Sequence, residues 1–587
     1  MIHASPATQH DIQALREQVT PAHGNPGTRF SFLCLRYIAL GIGTLPSCAL
    51  YAQVRPDAGQ TLESIRPAPA VPEAHPDAAL PREENRPAQS APDGQRITVK
   101  AIHISGARAF PEARLQGLVQ DAVGKDLNLD ELNALARRIT DYYRARGYLL
   151  TRAYLPAQEV TQGRIEIAVL EGRIAGLKVD NTSRLAPGMV DAYLGRLQSG
   201  QQATEGAAVE RSLLLLDDLP GVEVRSTLGP GATVGTADLG IQVQAQALLS
   251  GSFDADNTGN RYTGEYRAGA TLNVNNPSGY GDLFSLRLLG SGPGLKYARA
   301  AWQAPLGGTG LKGGLAYSDL RYRLGRDFEA LGAHGSAQVA TAWAAYPLIR
   351  SLNRNLNLQL SYDDKRLNDL VDVTASNSNK KLGVWTFGLS GDHSDSFHGG
   401  GISIYNAGLT GGRLRLDAAS LVLDQGAGGH QTGGNYTKLT YSYMRLQHLG
   451  NQLSFYANLS GQAAGKNLDS SEKLSLGGAY GVRAYPQGEA AGDDAVMLNL
   501  ELRWSVPGWR ELRVLGFFDA GTARINHNPL ATDSNNNRHL LGEGVGLQWN
   551  RPNNFALNVY LAWRAGAKPA SDSDRNPRLW VQAAKYF

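Results

Sequence analysis

The sequence predicts two small α+β domains followed by a 16-stranded antiparallel transmembrane β-barrel. Three observations support this fold class: a βααββ pattern that occurs twice in tandem, a long C-terminal region with period-two alternation, and connections in that region that alternate between short and long. The chain has 68 glycines and 24 tyrosines but only 4 methionines and 2 cysteines. Such a composition favours turn-rich strands with aromatic belts over a helical bundle.

Residues 1–52 are interpreted as a secretory signal with an unusually long N-terminal extension. A basic segment from Arg29 to Arg36 precedes the apolar run 37–45, and the small residues Ser47 and Ala49 offer a cleavage site, with Ala52 as the second choice. Export from the cytoplasm is therefore expected.

Two other interpretations of this segment stay open. A single transmembrane anchor would need a longer apolar run, and a lipoprotein signal ending at Cys48 would place Pro46 at an unfavourable position. Cys34 and Cys48 are the only cysteines, so removal of the signal would leave a mature protein without thiols. Beyond this segment no run of about 18 apolar residues occurs, which excludes a helical inner-membrane protein.

Residues 53–96 are predicted to be a proline-rich linker that begins with a short helix. Seven prolines between Pro67 and Pro92 prevent regular hydrogen bonding and favour extended, partly polyproline II structure. Residues 57–66 can form a helix with Leu62 and Ile65 on one side, but ten residues need a docking place to be stable. This helix is a candidate plug.

Residues 97–172 and 173–247 are predicted to be two copies of one small domain. In the first copy, Leu132, Leu135, Ile139 and Tyr143 lie along one face of the second helix. Both copies show the order strand, helix, helix, strand, strand. The predicted elements are 99–104, 110–123, 129–146, 149–155 and 164–170, and then 174–179, 187–197, 204–219, 222–228 and 237–243.

Residues 248–587 are predicted to be the barrel. In Leu356 to Tyr362 and in Phe555 to Trp563, one face is wholly apolar and the other mostly polar. A soluble sandwich also alternates, so the number of segments carries the argument. The 16 candidate strands start near Leu249, Gly264, Gly281, Leu295, Leu311, Gly335, Asn353, Lys381, His398, Asn435, Gln452, Ala495, Leu512, Leu541, Asn554 and Arg578.

The connections between these strands alternate in length, as short periplasmic turns and long external loops do in outer-membrane barrels. The tight connections are 275–280, 305–310, 347–352, 448–451, 507–511 and 550–553. The long ones are 368–380, 410–434, 465–494 and 522–539.

The last strand ends on two aromatic residues, Tyr586 and Phe587. A terminal Phe in a strand that follows a barrel pattern resembles the C-terminal assembly signal of outer-membrane barrels, so Phe587 is the candidate signal. Lys585 is in phase with Phe587 and would have to extend to the membrane interface.

Short sequence segments support a family resemblance. Gly147 to Gln158 and Gly163 to Ile174 look like the end of a first POTRA domain, and Leu213 to Gly221 looks like a helix end in a second. With the 16 strands, nearly the whole mature chain resembles the outer-membrane transporters of two-partner secretion, the haemolysin-activator and filamentous-haemagglutinin transporter family.

Two barrel motifs agree with this resemblance. Gly481-Val-Arg-Ala-Tyr485 resembles the tip of the family's inward-folded sixth loop, which marks Val482, Arg483 and Tyr485. Phe517-Phe-Asp-Ala-Gly521 resembles the strand motif whose Asp holds that Arg in the lumen, which marks Phe517, Asp519 and Gly521. Ala484 stands where the family usually has Gly, so the tip lacks the backbone freedom of glycine at this position.

Strand phase gives independent support for Asp519. It shares a strand face with Arg513, whereas Leu512, Val514 and Phe518 form the opposite, lipid-suited face, so Asp519 is predicted to point into the lumen. The alternative is an ordinary solvated Asp on a strand and an ordinary exposed Arg in a loop.

The resemblance implies a function in the bacterial outer membrane. A partner exoprotein of haemolysin or adhesin type, with an N-terminal secretion domain, would pass through the barrel lumen without ATP, and the POTRA domains would lie in the periplasm. The other expected partners are outer-membrane lipids and the barrel assembly machinery. The alternative is an outer-membrane protein insertase of the same superfamily; a plain porin does not explain residues 97–247.

The sequence gives no support for catalysis or nucleic-acid binding. It contains no metalloprotease, nucleophile-elbow or phosphate-loop motif, so no catalytic residue, metal or cofactor is expected. The 57 basic and 53 acidic residues are interspersed, with a net charge of +4, which argues against a nucleic-acid partner.

Overall fold

The chain runs from a short helix through two α+β domains into a closed barrel of antiparallel strands. This computed structural model describes residues 55–65, 96–148, 151–158, 163–171, 173–198, 206–230, 232–233, 236–509 and 511–587. The predicted signal and most of the predicted proline-rich linker lie outside the described residues. None of the helices within these ranges is long and apolar enough to cross a membrane.

The first small domain has the predicted βααββ order. After helix α1 (Ala58–Ser64), its elements are β1 (Ala101–Ser105), α2 (Glu112–Gln116), α3 (Leu129–Arg144), β2 (Arg152–Tyr154) and β3 (Arg164–Leu170). Strand β3 pairs in parallel with β1 and antiparallel with β2, and a two-residue ladder joins Ile97–Thr98 to Asp126–Leu127. The first helix is shorter than predicted: α2 ends at Gln116, and only a 3₁₀ turn, Gln120–Ala122, follows. Gly117, a poor helix former, caps its end.

Helix α3 begins where the sequence provides a complete cap. The Asn128 side chain accepts a hydrogen bond from the Glu131 backbone N–H, and the Glu131 side chain accepts one from the Asn128 N–H. The predicted apolar face of α3 is buried, and Ile139 and Tyr143 on it are fully enclosed. The helix therefore supplies the core of this domain.

The second domain repeats the order with longer helices. Its elements are β4 (Arg173–Asn181), α4 (Pro187–Gln198), α5 (Gly206–Asp217), β5 (Val222–Pro230) and β6 (Thr236–Ala245). Strand β6 pairs in parallel with β4 and antiparallel with β5, as β3 does with its neighbours. Leu194, Leu216, Leu239 and Ile241 pack together in its core.

The second domain is fixed to one end of the barrel. The Asp218 carboxylate accepts two hydrogen bonds of 2.8 Å from the Arg350 guanidinium, and Arg211 donates to the Pro347 carbonyl at 2.6 Å. A Cβ at Gly308 would lie only 1.9 Å from the Ala192 carbonyl oxygen, so the two backbones touch there. This end, with the tight turns, is the periplasmic end.

The barrel confirms the predicted number of strands and their antiparallel order. They are β7 (Leu249–Asp256), β8 (Arg267–Asn275), β9 (Leu283–Gly290), β10 (Leu295–Pro305), β11 (Lys312–Arg323), β12 (Ala333–Arg350), β13 (Arg354–Val371), β14 (Ser376–Asp395), β15 (Gly401–Leu416), β16 (Gly434–His448), β17 (Leu453–Ala464), β18 (Asp494–Ser505), β19 (Leu512–Arg524), β20 (Asn537–Arg551), β21 (Phe555–Arg564) and β22 (Arg578–Tyr586).

One of the predicted long loops is wrong. Residues 368–380 are mostly strand, because β13 and β14 continue to a short turn at 372–375. Polar side chains bond across the ladder here; Asn368 donates to the Asn379 side chain at 2.7 Å. The two strands therefore continue beyond the membrane although their residues are polar. The connection after β15 likewise contains a helix, α6 (Ala418–Gln425).

The barrel closes through a short ladder at the C-terminus. Strands β22 and β7 pair from Gln582 with Asp256 to Tyr586 with Ser252. Phe587 extends the ladder through two backbone hydrogen bonds with Gly251, of 3.0 and 3.1 Å. The Lys585 ammonium donates to the Asn554 side chain at a periplasmic turn, which keeps this charge away from the hydrocarbon.

We predict that deletion of Phe587 lowers the amount of folded barrel. The deletion removes both backbone hydrogen bonds to Gly251 and the ring that lies 5.5 Å from the Phe253 ring. Heat-modifiable migration of outer-membrane fractions measures the folded species. Phe587→Tyr, which keeps the ring, is the control and should behave as wild type; undiminished folding of the deletion variant would contradict the assembly role.

Candidate functional site

The connection between β17 and β18, residues 465–493, folds into the barrel lumen; we call it loop six. Leu476, Val482 and Tyr485 in this loop are fully buried, although they belong to a connection between strands. The Val482 N–H donates to the Leu476 carbonyl at 2.7 Å, which closes the tip into a compact turn. The Tyr485 hydroxyl donates to the Ala567 carbonyl at 2.8 Å. The tip thus packs as an interior element.

Arg483 and Asp519, the pair marked by the two motifs, are in direct contact. Arg483 Nε and Nη2 donate to the two Asp519 carboxylate oxygens at 2.8 Å each, and the Arg483 backbone N–H donates to the same carboxylate at 3.0 Å. Asp519 is fully buried and Arg483 is 4% exposed. This is the bidentate geometry in which Arg binds a carboxylate most specifically.

Three neighbours on β18 complete the ion-pair network, and the sequence did not predict them. Asn499 donates to Asp519 at 2.9 Å and to the Gly481 carbonyl at 2.9 Å. Arg483 Nη1 donates to Glu501 at 2.6 Å, and Arg503 donates to the other Glu501 oxygen at 2.7 Å. The available signal was the alternation of polar residues at 499, 501 and 503 in the second half of β18, the strand that pairs with the motif strand β19.

Aromatic side chains enclose the guanidinium of Arg483. Its Cζ lies 3.6 Å from the centre of the Phe517 ring, and the Trp580 indole N–H donates to the Arg483 carbonyl at 2.7 Å. A Cβ at Gly521 would lie 3.2 Å from side-chain atoms of Leu476 and Val482, so this glycine leaves space for the loop. The ring and the glycine of the strand motif therefore both serve the contact with loop six.

Ala484, which departs from the family pattern, fits the tip. It is not among the residues with a positive φ, so its backbone does not need the freedom of glycine. A Cβ at Gly542, which is directly across from Asp519 on the neighbouring strand β20, would lie 2.6 Å from the Ala484 Cβ. The methyl group of Ala484 therefore occupies space that a glycine on β20 leaves open.

Helix α1 lies inside the lumen, between the wall and loop six. The Ala58 N–H donates to Asp369 on β13 at 2.8 Å, and Asp57 pairs with Lys380 on β14 at 3.3 Å. The Ser470 hydroxyl of loop six donates to Asp57 at 2.6 Å. A Cβ at Gly59 would lie 2.5 Å from the Ser471 backbone N, so helix and loop are in close contact.

Glu472 of loop six forms a second buried ion-pair cluster. Lys365 and Lys438, on the inner faces of β13 and β16, lie 2.7 and 3.0 Å from its carboxylate. Burial by itself raises the pKa of Glu472, but attraction to Lys365 and Lys438 outweighs it and lowers the pKa to about 2. This carboxylate therefore stays ionised at periplasmic pH.

A closed barrel with an inward loop held by a buried Arg–Asp pair, preceded by tandem βααββ domains, defines an outer-membrane transporter of the POTRA–barrel class. The family model described as "Haemolysin secretion/activation protein ShlB/FhaC/HecB" matches residues 235–549, and the model of the ShlB-type POTRA domain matches residues 97–172. The chain belongs to this haemolysin secretion/activation family, the outer-membrane transporters of two-partner secretion.

Individual transporters are similar to this chain over most of its length. The heme/hemopexin transporter protein HuxB of Haemophilus influenzae is 28% identical over 81% of this chain and 84% of its own length. The outer membrane transporter CdiB of Dickeya dadantii is 24% identical over 72% of this chain and 74% of its own. The solved structure of CdiB from Escherichia coli covers 86% of this chain and 94% of its own, with a TM-score of 0.68 and 20% identity, which supports the fold.

We predict that Arg483→Ala and Asp519→Ala each lower secretion of the exported protein tenfold or more. Either change leaves a buried charge without its partner, at a cost of about 3 to 5 kcal/mol to the loop position. Because the two residues act as one unit, the double variant should be little worse than either single variant. Secretion into the medium is measured with the level of heat-modifiable barrel in parallel.

Two further variants sharpen this test. Arg483→Lys keeps the charge but loses the bidentate geometry, so it should fall between wild type and Arg483→Ala. The exposed Arg323 on β11 provides the control, and Arg323→Ala should secrete normally. Normal secretion by Arg483→Ala, or losses that multiply in the double variant, would contradict the loop-anchoring role.

Proposed function

We propose that this chain moves a large exoprotein of haemolysin or adhesin type, with an N-terminal secretion domain, from the periplasm through its own lumen, without ATP. The observation that carries this proposal is the content of the lumen. Helix α1 and loop six occupy it, and both are bound to the wall by ion pairs and hydrogen bonds as well as by apolar packing. Such contacts can be exchanged for those of another polypeptide while the barrel ladder stays intact.

Reception of the exoprotein is assigned to the edges of the two small sheets. Strands β1 and β2 are the edges of the first sheet, and β4 and β5 are the edges of the second. An unfolded chain adds as a strand to such an edge through main-chain hydrogen bonds, which make little demand on its sequence. Val179 on β4 is 39% exposed, so this edge also offers apolar contact.

Outward direction is supplied by folding of the exoprotein outside the cell. At about 0.1 kcal/mol per residue, a long repeat protein releases enough free energy on folding to prevent its return. Loop six and α1 then need only yield to the passing chain. The chain is thus proposed to act as a transporter without catalysis or a cofactor, and barrel assembly machinery is proposed to insert it among outer-membrane lipids with Phe587 as the signal.

Photo-crosslinking from the β4 edge tests reception directly. A photoreactive residue at position 179 should crosslink the exoprotein during export, because the incoming strand would lie beside β4. A matched control is position 129 at the start of α3, where Leu129 is also 39% exposed. Crosslinks at both positions, or at neither while secretion continues, would contradict edge reception.

Conductance of single barrels in planar bilayers tests the plug. Asp57→Asn removes the ionic part of the contacts to Lys380, so α1 should leave the lumen more often and open-channel events should become several-fold more frequent. The control is Asp372→Asn, since Asp372 is mostly exposed in the turn between β13 and β14. Equal conductance of Asp57→Asn and wild type would show that Asp57 does not hold the plug.

A further inference from the structure

The outer wall of the barrel carries a compact basic patch, formed by Arg366, Lys381, Arg413 and Arg415. All four residues are exposed. In the ladder Arg366 on β13 is directly opposite Lys381 on β14, and Lys381 is directly opposite Arg415 on β15. Three cationic side chains therefore stand in one row on the same face of three neighbouring strands.

The cations in this row repel each other, and a bound anion would relieve that repulsion. Like charges directly opposite each other destabilise a strand pair. Asp364 is the nearby acid, but its carboxylate is 3.7 Å from Arg366 Nε. Within the part of the chain that the structure describes, the side chains of Lys381, Arg413 and Arg415 form no ion pair. Four positive charges against one negative leave an excess of three.

Next to the patch lies an open pocket of about 630 Å³. Its lining includes Gly383 and Gly411, which lack side chains, and the rings of Tyr362 and Trp385, whose centroids are 4.8 Å apart and whose planes are tilted by 47°. Arg366, Lys381, Arg413 and Arg415 form part of its lining. A group that enters this pocket contacts an aromatic surface on one side and cationic groups on the other.

The wall becomes apolar on the other side of the pocket. Leu360, Phe387, Leu409 and Leu439, one on each of four neighbouring strands, are all between 44% and 58% exposed. These residues face the acyl chains of the membrane. Arg366 is six positions beyond Leu360 on β13, or roughly 20 Å along the strand. Along the strands, the outer wall is therefore first apolar, then aromatic and then cationic.

The patch is at the extracellular end of these strands. The short turn 372–375 follows Arg366, and the connection containing α6 follows Arg415, whereas the second small domain contacts the opposite end. The leaflet at this end is the outer one, whose lipid is a phosphorylated glycolipid. Its phosphates are located above its acyl chains, as the cations here are located above the apolar row.

We propose that this patch binds the phosphate groups of the outer-leaflet glycolipid, of lipid A type, with the acyl chains on the apolar row below. Arg and Lys bind phosphate oxygens through charge-assisted hydrogen bonds, and the row matches a lipid that carries more than one phosphate. The patch faces the membrane and not the lumen, so the exoprotein in transit is not its ligand.

Lipid A binding to the purified full-length chain in detergent tests this site. Titration with bis-phosphorylated lipid A, followed by native mass spectrometry, gives the dissociation constant. Lys381→Gln/Arg415→Gln should weaken binding by about fivefold per charge, or on the order of 25-fold together. Mono-phosphorylated lipid A should bind more weakly than the bis-phosphorylated form, and Lys381→Arg should bind as wild type does.

The matched control removes two exposed cations from the periplasmic end. Arg354 is on the same strand as Arg366, and Arg551 is the last residue of β20. Arg354→Gln/Arg551→Gln should bind lipid A as wild type does, with heat modifiability confirming that both double variants are folded. Secretion is not the readout, so failure here is distinct from failure of the proposed transport function.

Three results would overturn the proposal. Equal affinity of the two double variants for lipid A would show that the patch does not contribute. If inorganic phosphate displaced lipid A from the wild-type chain as effectively as unlabelled lipid A does, the patch would be a free-anion site instead of a lipid site. Loss of exoprotein binding by Lys381→Gln/Arg415→Gln, with lipid A binding unchanged, would assign the patch to the exoprotein.

Discussion

The buried contact between Arg483 and Asp519 is the interaction on which the interior of this barrel depends. A guanidinium and a carboxylate enclosed together lose their hydration, and only a nearly complete set of hydrogen bonds offsets that loss. The structure supplies this set: the Asp519 carboxylate accepts four hydrogen bonds, from Arg483 and Asn499. Phe517, Trp580 and Gly521 then make sense as groups that exclude water or leave space around this contact.

Loop six connects this contact to the plug. Its tip, near Arg483, is bound to β19, while Ser470 and Glu472 near its beginning bind α1 and the opposite wall. The three sites are parts of one continuous segment of fewer than thirty residues. One continuous segment therefore contacts both the Asp519 site and α1.

The sequence predicted the barrel well because the bilayer imposes a simple rule on each strand. Alternate residues face lipid or lumen, so period-two alternation identified all 16 strands, and the phase of β19 correctly turned Asp519 inward. The same rule ends at the membrane surface. Residues 368–380 are mostly polar and were predicted as loop, yet all except the turn 372–375 pair as strand, with Asn368 hydrogen-bonded to Asn379 across the ladder. Hydrophobicity carries no information there.

The lumen network was not predictable from one sequence, for a different reason. Lys365, Lys438 and Glu472 meet only because two strands and a loop, well separated in the chain, enclose one interior. No local spacing marks them, whereas Arg483 and Asp519 were visible because each lies in a recognisable motif. Polar residues that alternate along lumen-facing strands are compatible with a plain channel wall as well as with a gate. Burial decides between these, since a charge that is fully enclosed must have a partner. In this barrel the partner of the enclosed Asp519 comes from loop six of the same chain.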